Sequence, residues 1–357
     1  MLVRRLWLTD FRNFTEVALE PAPGLTAIVG DNGQGKTNLL EAIGYLAQLE
    51  SFRGAPIDAL VRTGAASAVV RAEVERDTRE LLIEAELGPG KSRVLVNRQR
   101  LTRSRDLLGA LRVTVFAPDD LELVKGSPAT RRRYLDELLV ASSPKLDALR
   151  TDLDRILRQR NALLKQMAGR HGGGEGALAT LDVWDDRLAM TGTALVGHRN
   201  ELLEKLQPAL GVAYAQVAGS QAEIDVSYEQ SWDGELVDAL LAARDTDIRR
   251  AVTTVGPQRD ELALHIDGRV ARTHASQGEQ RSLALAMRLA GHAVVARDIG
   301  ASPVLLLDDV FSELDPTRSA ALLAHVPPGQ VLLTTAGGLP VGAHPELVVR
   351  VSDGTLS

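Results

Sequence analysis

The sequence predicts an α/β fold: a mixed sheet with flanking helices plus an antiparallel subsheet, with an inserted α-helical lobe and a short helical-hairpin arm. Two apolar strands support the α/β part. Residues 26–29 run into a glycine-rich turn and a helix, and residues 304–307 end in Asp308-Asp309. The stretch between them supports the insertion, because residues 129–206 repeat apolar side chains at helical spacing.

The composition is that of a globular protein with room for two domains. Of 357 residues, 45% are hydrophobic but only 3% are aromatic, so the core must rest on Leu, Val, Ile and Ala. The absence of cysteine excludes a disulfide framework and a cysteine zinc site. Because residues 1–7 contain no apolar leader and no run of about 18 apolar residues occurs, we expect a cytoplasmic protein without a membrane span.

The net charge of −6 does not decide whether nucleic acid is a partner. Binding to phosphates needs only a local basic face, and Lys and Arg still total 41. Lys125 and the run Arg131-Arg132-Arg133 are candidates for such a face. Arginines on a helix are also often salt-bridged or solvated, and that alternative stays open.

Strands dominate the first third of the chain. Apolar positions separated by turns predict strands within residues 2–29, and then an antiparallel, partly exposed sheet. The predicted strands of that sheet, and the strand that follows it, are residues 68–75, 81–87, 93–96 and 111–116.

Helices dominate the middle of the chain. Ser127 is a predicted N-cap with Pro128 at the first helical position, opening a helix over residues 129–140.

Two longer helices are predicted next. Apolar residues at a period near 3.6 mark residues 146–167 and 178–206, joined by the glycine-rich residues 168–176, and the second helix should end near Pro208. Two such helices make an antiparallel hairpin, an arm roughly 35 Å long at 1.5 Å per residue. An ordinary helical subdomain without a projecting arm is the alternative.

Strands and helices alternate in the last third. The predicted elements are a strand over 224–228, a helix over 234–250, a hairpin over 261–272 that turns at Asp267-Gly268, a helix over 282–296, and strands over 304–307 and 330–335.

The glycine-rich turn has the form of a P-loop, G-x-x-x-x-G-K-T. Glycines let successive backbone N–H groups point at phosphates at the positive end of a helix. Lys36 can then reach the β- and γ-phosphates, and the Thr37 hydroxyl can coordinate Mg²⁺. A glycine-rich turn with a chance lysine is the alternative. The predicted nucleotide-binding residues of this loop are Gly30, Asp31, Asn32, Gly33, Gln34, Gly35, Lys36 and Thr37.

The second apolar strand has the form of a Walker B element. A buried strand that ends beside a P-loop presents a carboxylate to the metal, so Asp308 is the predicted Mg²⁺-side acid. Asp309 is placed to orient or activate the attacking water. Two acids after an apolar run can also be a solvated loop start, but the P-loop strengthens the catalytic interpretation.

Two further motifs resemble those of ABC-type ATPases. The stretch Ser276-Gln-Gly-Glu-Gln resembles their signature motif, and Ser312-Glu-Leu-Asp315 resembles their D-loop. In that family the signature motif of one subunit touches the γ-phosphate held by the other subunit, which implies ATP contacts from Ser276 and Gly278. The same residues could instead form an ordinary capping box with Glu279.

Longer stretches resemble the RecF family of bacterial DNA recombination and repair proteins, itself similar to SMC and Rad50 heads. The matching stretches are Asp10-Phe-Arg-Asn-Phe14, residues 29–43, residues 120–128 with 131–136, Val255-Gly-Pro-Gln-Arg-Asp260 and residues 305–315. The resemblance implies an ABC-type P-loop ATPase head. Its nucleotide-binding residues would also include Arg12, Asn38 and Asp315.

The resemblance also implies how such a chain works. It implies an ATP-binding lobe I of residues 1–117 and 251–357 and a helical lobe II of residues 118–250, with the arm at about 145–207. It implies an ATP-dependent homodimer that binds single- and double-stranded DNA at gaps and junctions. RecO and RecR would act with it to help RecA loading, and ATP and Mg²⁺ would be the cofactors.

Several positions depart from the expected motifs. Asp309 stands where many ABC ATPases have glutamate, and its shorter arm suggests the slow turnover of a switch. Gln258 stands where histidine is expected. Thr334, Thr335 and Asp119 are only positional stand-ins for the switch histidine and the Q-loop glutamine. An ABC transporter ATPase subunit and an SMC-like structural head remain the alternative functions.

Overall fold

The structure, a computed structural model, describes residues 1–76, 79–88, 92–102, 104–169 and 175–357. The chain divides into two compact units. The first comprises Met1–Leu121, Val212–Gln221 and Arg281–Ser357, and the second comprises Glu122–Gly211 and Ala222–Gln280. The assignment of an ATP-binding lobe and a helical lobe stays a prediction; residues 251–280 group here with the second unit.

The strands lie mostly in the first unit. In the described part of the chain they are β1 (Leu2–Phe11), β2 (Phe14–Leu19), β3 (Leu25–Val29), β4 (Ala68–Arg76), β5 (Arg79–Leu87), β6 (Arg93–Val96), β7 (Gln99–Arg100), β8 (Val113–Phe116), β9 (Ile224–Glu229), β10 (Glu261–Ile266), β11 (Arg269–Val270), β12 (Val304–Asp308), β13 (Val331–Thr335), β14 (Leu347–Ser352) and β15 (Thr355–Leu356).

The helices include both short turns and long rods. Over the same described residues they are α1 (Lys36–Gln48), α2 (Ile57–Leu60), α3 (Glu122–Lys125), α4 (Pro128–Ser142), α5 (Asp147–Ala168), α6 (Glu175–Ala218), α7 (Leu236–Arg250), α8 (Ala271–His274), α9 (Gln277–Ile299) and α10 (Pro316–Ala324).

A mainly parallel sheet organises the first unit. Its order is β15-β14-β3-β13-β12-β8, and all neighbours except the β14–β15 pair are parallel. Strands β12 and β13 are buried along their whole length, as expected for a sheet covered on both faces. Because β13 lies between β3 and β12, the ends of these three strands meet at one edge.

The predicted antiparallel subsheet is confirmed. Its order is β2-β1-β4-β5-β6-β7, and every neighbouring pair is antiparallel. Helix α1 contacts both sheets of the first unit through Leu39, Leu40, Ile43 and Leu46, all fully buried. Leu, Val, Ile and Ala make up most of this core, as the low aromatic content predicts.

The predicted helical hairpin forms in the second unit. Leu164 and Met167 near the end of α5 pack with Leu181 near the start of α6, so the two helices run antiparallel. Ile248 of α7 packs against the same cluster, which ties the hairpin to a third helix. Of the glycine-rich connection predicted at 168–176, residues 170–174 lie outside the described residues.

One detail of the predicted helices was wrong. Helix α6 does not end near Pro208 but continues to Ala218 with the proline inside it. The apolar stripe continues beyond the proline through the buried Leu210, Tyr214 and Val217, and this burial outweighs the lost backbone hydrogen bond. Ser127 does occupy the N-cap of α4 with Pro128 behind it, but its side chain makes no capping hydrogen bond.

A buried charge network fastens the helices of the second unit. Arg160 of α5 is fully buried and donates to Asp185 of α6 and Asp247 of α7, each at 2.7 Å. Its Nη1 also donates to the Thr253 hydroxyl at 2.9 Å. Since an unpaired buried charge is costly, these carboxylates and the guanidinium depend on one another.

The second unit also holds a three-stranded antiparallel sheet, β11-β10-β9. Its β10–β11 hairpin turns at Asp267-Gly268, as predicted, with both residues at positive φ (49° and 71°). The sequence interpretation missed α10, β14 and β15 at the C-terminal end. Among the described residues, no helix is both long enough and apolar enough to cross a membrane.

Candidate nucleotide site

The P-loop follows β3 at the edge where the parallel strands end. Gly33 and Gly35 have φ angles of 82° and 112°, a region that glycine enters without strain. A Cβ on Gly35 would lie 2.6 Å from the Asn13 side chain and 2.9 Å from the Phe14 ring. A Cβ on Gly30 would lie 2.4 Å from the Val351 carbonyl oxygen. The backbone path and its packing therefore both require glycine here.

Lys36 is folded over the loop that it follows. Its buried ammonium donates to the carbonyl oxygens of Gly30 and Asp31, each at 2.8 Å. An ammonium has three donors, so these two contacts hold it at the centre of the loop with a donor to spare. This is the position from which a lysine can meet a phosphate held by the loop.

Thr37 joins the P-loop to the Walker B strand. Its hydroxyl donates to Asp308 Oδ1 at 2.8 Å, although the two residues are 271 positions apart in the chain. A hydroxyl and a carboxylate oxygen this close are the hard ligands that Mg²⁺ takes alongside phosphate oxygens. The residues present therefore fit a magnesium ion at this point.

Asp308 is largely buried, and burial raises the pKa of its carboxyl group. Hydrogen bonds from Thr37 and Thr334 act in the opposite direction, because they stabilise the charged form. A cation bound here would likewise favour the carboxylate.

Asp309 begins the chain segment after β12 in the left-handed region, with φ 48° and ψ 26°. Its backbone N–H donates to the Thr334 hydroxyl at 2.9 Å, and that hydroxyl donates to Asp308 Oδ1 at 2.8 Å. Thr334, which the sequence offered only as a positional stand-in for the switch histidine, therefore contacts both acidic residues.

The sequence interpretation did not single out Asn13 as a site residue. Its Nδ2 donates to the Gln34 carbonyl oxygen at 2.8 Å, and its Oδ1 accepts from Asn38 Nδ2 at 2.8 Å. The Gln34 side chain in turn accepts from the Asp353 backbone N–H at 2.6 Å. Asn13 therefore links the loop to the start of α1, and its position in the Asp10–Phe14 stretch was the available clue.

Arg12, predicted to contact nucleotide, is engaged with a buried carboxylate. Its guanidinium pairs with both oxygens of Glu41 at 2.7 and 2.8 Å and donates to the Ala59 carbonyl at 2.8 Å. Glu41 is fully buried on α1 and also accepts from the Ser51 hydroxyl at 2.5 Å. The nucleotide-binding role of Arg12 stays a prediction.

Ser276 and Gly278 lie in the second unit, whereas the P-loop and Asp308 lie in the first. Ser276 and Glu279 form a reciprocal capping box: the Ser276 N–H donates to Glu279 Oε2 at 2.7 Å, and the Glu279 N–H donates to Ser276 Oγ at 3.3 Å. The predicted alternative, a capping box, is thus confirmed. Contacts of Ser276 and Gly278 with ATP stay a prediction.

Asp315 caps α10 by accepting from the Arg318 backbone N–H at 2.9 Å, and it also pairs with the Arg318 guanidinium. These contacts lower the pKa of its carboxyl group, the backbone hydrogen bond being the largest cause. Asn32 is exposed on the loop. The nucleotide-binding roles of both residues stay predictions.

The candidate basic face changes in character. Arg131 is buried and pairs with Glu261 through two contacts of 2.7 Å. Arg132 donates to the Asp260 carbonyl oxygen at 2.6 Å, and burial lowers the pKa of its guanidinium. Arg133 is exposed. For Arg131 the salt-bridge alternative is correct, because its guanidinium is paired with Glu261 and buried inside the second unit.

Gln258 lies beside Gly256, whose φ is 123°. Its Nε2 donates to the Val255 carbonyl oxygen at 2.9 Å, while its buried Oε1 has no hydrogen-bond partner among the described residues. The side chain therefore braces its own turn.

Comparisons with known proteins agree with this geometry. The RecF/RecN/SMC N-terminal domain family matches residues 2–332. A DNA replication and repair protein RecF from Streptomyces avermitilis is 48% identical over 349 residues, covering 94% of this chain and 93% of that protein. A RecF from Frankia alni is 47% identical over 353 residues, with the same coverage of each chain.

Solved structures are similar over nearly the whole chain. The recombination mediator protein RecF-ATP of the RecFOR pathway is 30% identical with a TM-score of 0.92, covering 99% of this chain and 96% of that one. An Smc head domain from Pyrococcus furiosus, bound to the C-terminal domain of ScpA, has a TM-score of 0.58 at 17% identity, covers 99% of this chain and 94% of that one, and shows the fold alone. The predicted fold class is confirmed. The chain therefore belongs to the RecF/RecN/SMC N-terminal domain family and, within it, to the RecF family of DNA replication and repair proteins.

Proposed function

We propose that the chain is an ATP-dependent DNA-binding protein of recombination, repair and replication. It binds single- and double-stranded DNA at gaps and at junctions between the two. The observation that supports this proposal most directly is the 2.8 Å contact between Thr37 and Asp308, which assembles the P-loop and the Walker B strand into one site. The similarity to RecF-ATP supports ATP as the nucleotide.

The chemistry is slow, DNA-stimulated hydrolysis of ATP to ADP and phosphate. Lys36 and the loop N–H groups bind the phosphates, while Thr37 and Asp308 hold Mg²⁺, which balances the charge on the phosphates. Asp309 orients the attacking water. One oxygen of its carboxylate is buried without a hydrogen-bond partner among the described residues, so no protein group there takes up its accepting capacity.

ATP acts as a switch by joining two copies of the chain. Ser276 and Gly278 of one copy complete the site of the other, where a serine hydroxyl and N–H groups at a helix start favour an anion. Asp315 lies at the same interface. Hydrolysis of ATP then lets the two copies separate. Because the reaction is slow, the dimer has a long lifetime.

The proposed partners are those that the resemblance to the family implies. RecO and RecR act with the dimer to help RecA loading on single-stranded DNA. The protein acts in the cytoplasm. The RecFOR pathway is the setting of the similar RecF-ATP protein.

Sedimentation of the purified chain tests this function. With ATP and a gapped duplex, the chain should sediment as a dimer bound to DNA, and phosphate release should rise over that without DNA. An intact duplex and a blunt hairpin are the matched controls. ATP binding and dimerisation without phosphate release would indicate a structural head instead, and hydrolysis indifferent to DNA would favour a transporter-type subunit.

A further inference from the structure

Thr334 lies between the two acidic residues of the site. It is fully buried on β13 and is paired in register with Asp308 on β12. Its hydroxyl donates to Asp308 Oδ1 at 2.8 Å and accepts from the Asp309 backbone N–H at 2.9 Å. A hydroxyl has one donor and two accepting lone pairs, so a single side chain serves both residues.

The Asp309 carboxylate depends on this support. Its backbone has φ 48°, which a residue other than glycine adopts only at an energetic cost. One side-chain oxygen, Oδ1, is buried and has no hydrogen-bond partner in the described part of the chain. The direction of the carboxylate is therefore set mainly by its backbone, and the hydroxyl of Thr334 holds that backbone through its N–H.

Asp308 accepts hydrogen bonds from two hydroxyls that have different roles. Thr37 and Thr334 both donate to Oδ1, each at 2.8 Å. Thr37 belongs to the P-loop and is the proposed Mg²⁺ ligand. Thr334 comes from the neighbouring strand, so it can hold Asp308 in place independently of that task.

We propose that Thr334 is a positioning residue for ATP hydrolysis, whose hydroxyl fixes Asp308 and Asp309 relative to each other. This inference rests on the proposed function, because it assigns a role within the same site. Thr334 acts through the two carboxylates and needs no contact with the nucleotide. A buried threonine that merely satisfies its own hydrogen bonds is the alternative.

Two substitutions separate these possibilities. Thr334→Val keeps the shape and removes the hydroxyl, so we expect kcat to fall about 30-fold or more while KM stays within about threefold. ATP affinity without Mg²⁺ should also stay within about threefold, but the factor by which Mg²⁺ tightens ATP binding should shrink, because Asp308 is less well placed. Thr334→Ser restores the hydroxyl and should return kcat to within about threefold of wild type.

Thr26→Val is the matched control. Thr26 is equally buried on the adjacent strand β3, and its hydroxyl accepts from the Ala22 backbone N–H at 2.8 Å, away from the acidic pair. Thr334→Val loses two hydrogen bonds and Thr26→Val loses one, so both should lower Tm by a few degrees, Thr334→Val by more. Only Thr334→Val should lower kcat and the Mg²⁺ effect.

The outcomes separate the inference from the proposed function. A wild-type chain without ATP hydrolysis contradicts the proposed function and the inference together. If the wild type hydrolyses ATP and Thr334→Val matches it, the positioning role is wrong while the ATPase stands. Equal losses of kcat in Thr334→Val and Thr26→Val, or no recovery in Thr334→Ser, would assign Thr334 a structural role only.

Discussion

At the scale of single residues, Lys36 is the cation enclosed by the P-loop. Its two contacts with loop carbonyls, at 2.8 Å each, place it for phosphate binding. Lys36→Ala should weaken ATP binding roughly 100-fold, because charge-assisted hydrogen bonds contribute about 1.5–3 kcal/mol each. Lys36→Arg should keep part of the affinity and lose hydrolysis, since a planar fork replaces a compact ammonium. Calorimetry with ATP measures both, and unchanged affinity in Lys36→Ala would contradict the site.

A second residue, His292, makes stability depend on pH. It is buried between the Thr114 and Ser302 hydroxyls, and burial lowers its pKa from 6.5 to about 4. Between pH 6.5 and about 4, the His292 side chain binds a proton in the unfolded chain but stays neutral in the folded chain. Stability from this group is therefore present above pH 6.5 and is lost as pH falls toward 4, by about 3 kcal/mol at most.

Denaturant unfolding at several pH values tests this expectation. His292→Asn should be less stable at neutral pH but should lose less stability than wild type between pH 6.5 and 4. Subtracting the two curves removes the contribution of the carboxyl groups, which both proteins share. Parallel curves would mean that His292 does not titrate in this range.

At the scale of elements, Arg160 fastens α5 to α6 and α7. Arg160→Ala would leave Asp247 as a buried charge without its guanidinium partner, while Asp185 keeps its pair with Arg244, so the substitution should cost about 3–5 kcal/mol. Arg155→Ala on the same helix is the control: its pair with Asp152 is exposed, and its loss should cost less than about 1 kcal/mol. Thermal unfolding compares them, and similar Tm values for the two variants would contradict the network's role.

The elements also show how far the sequence predicts the structure. Strands and helices with regular apolar spacing, such as β4 to β6 and α5, could be predicted because local periodicity reports a buried face. The continuation of α6 past Pro208 could not, because proline signals a helix end locally while burial of Leu210 and Tyr214 is decided by the fold. Strand β14, which completes the parallel sheet by pairing with β3, was also missed.

The candidate site shows the same division. The P-loop and the two aspartates were predictable because their motifs are contiguous. The roles of Asn13 and Thr334 were not, since they depend on which strands become neighbours. Arg131 was a candidate for a basic face, but its partner Glu261 lies 130 residues away in the sequence and holds its side chain in the interior of the second unit.

At the scale of the whole molecule, the proposed switch needs two chains. Ser276→Arg places a bulky cation where the second copy would close over a phosphate, so it should abolish ATP-induced dimerisation and hydrolysis. ATP affinity of the single chain should stay near that of wild type, because the P-loop is untouched. Asp309→Asn should do the reverse: Asp308 remains, the water is no longer oriented, and the ATP-bound dimer accumulates.

Light scattering of these variants with ATP and Mg²⁺ tests the shared-site account most directly. One chain has a mass of 38.4 kDa, and a dimer has twice that mass. The account predicts a persistent dimer for Asp309→Asn, and the mass of a single chain for Ser276→Arg at an ATP concentration that saturates both. A Ser276→Arg protein that still doubles its mass when ATP is added would contradict it.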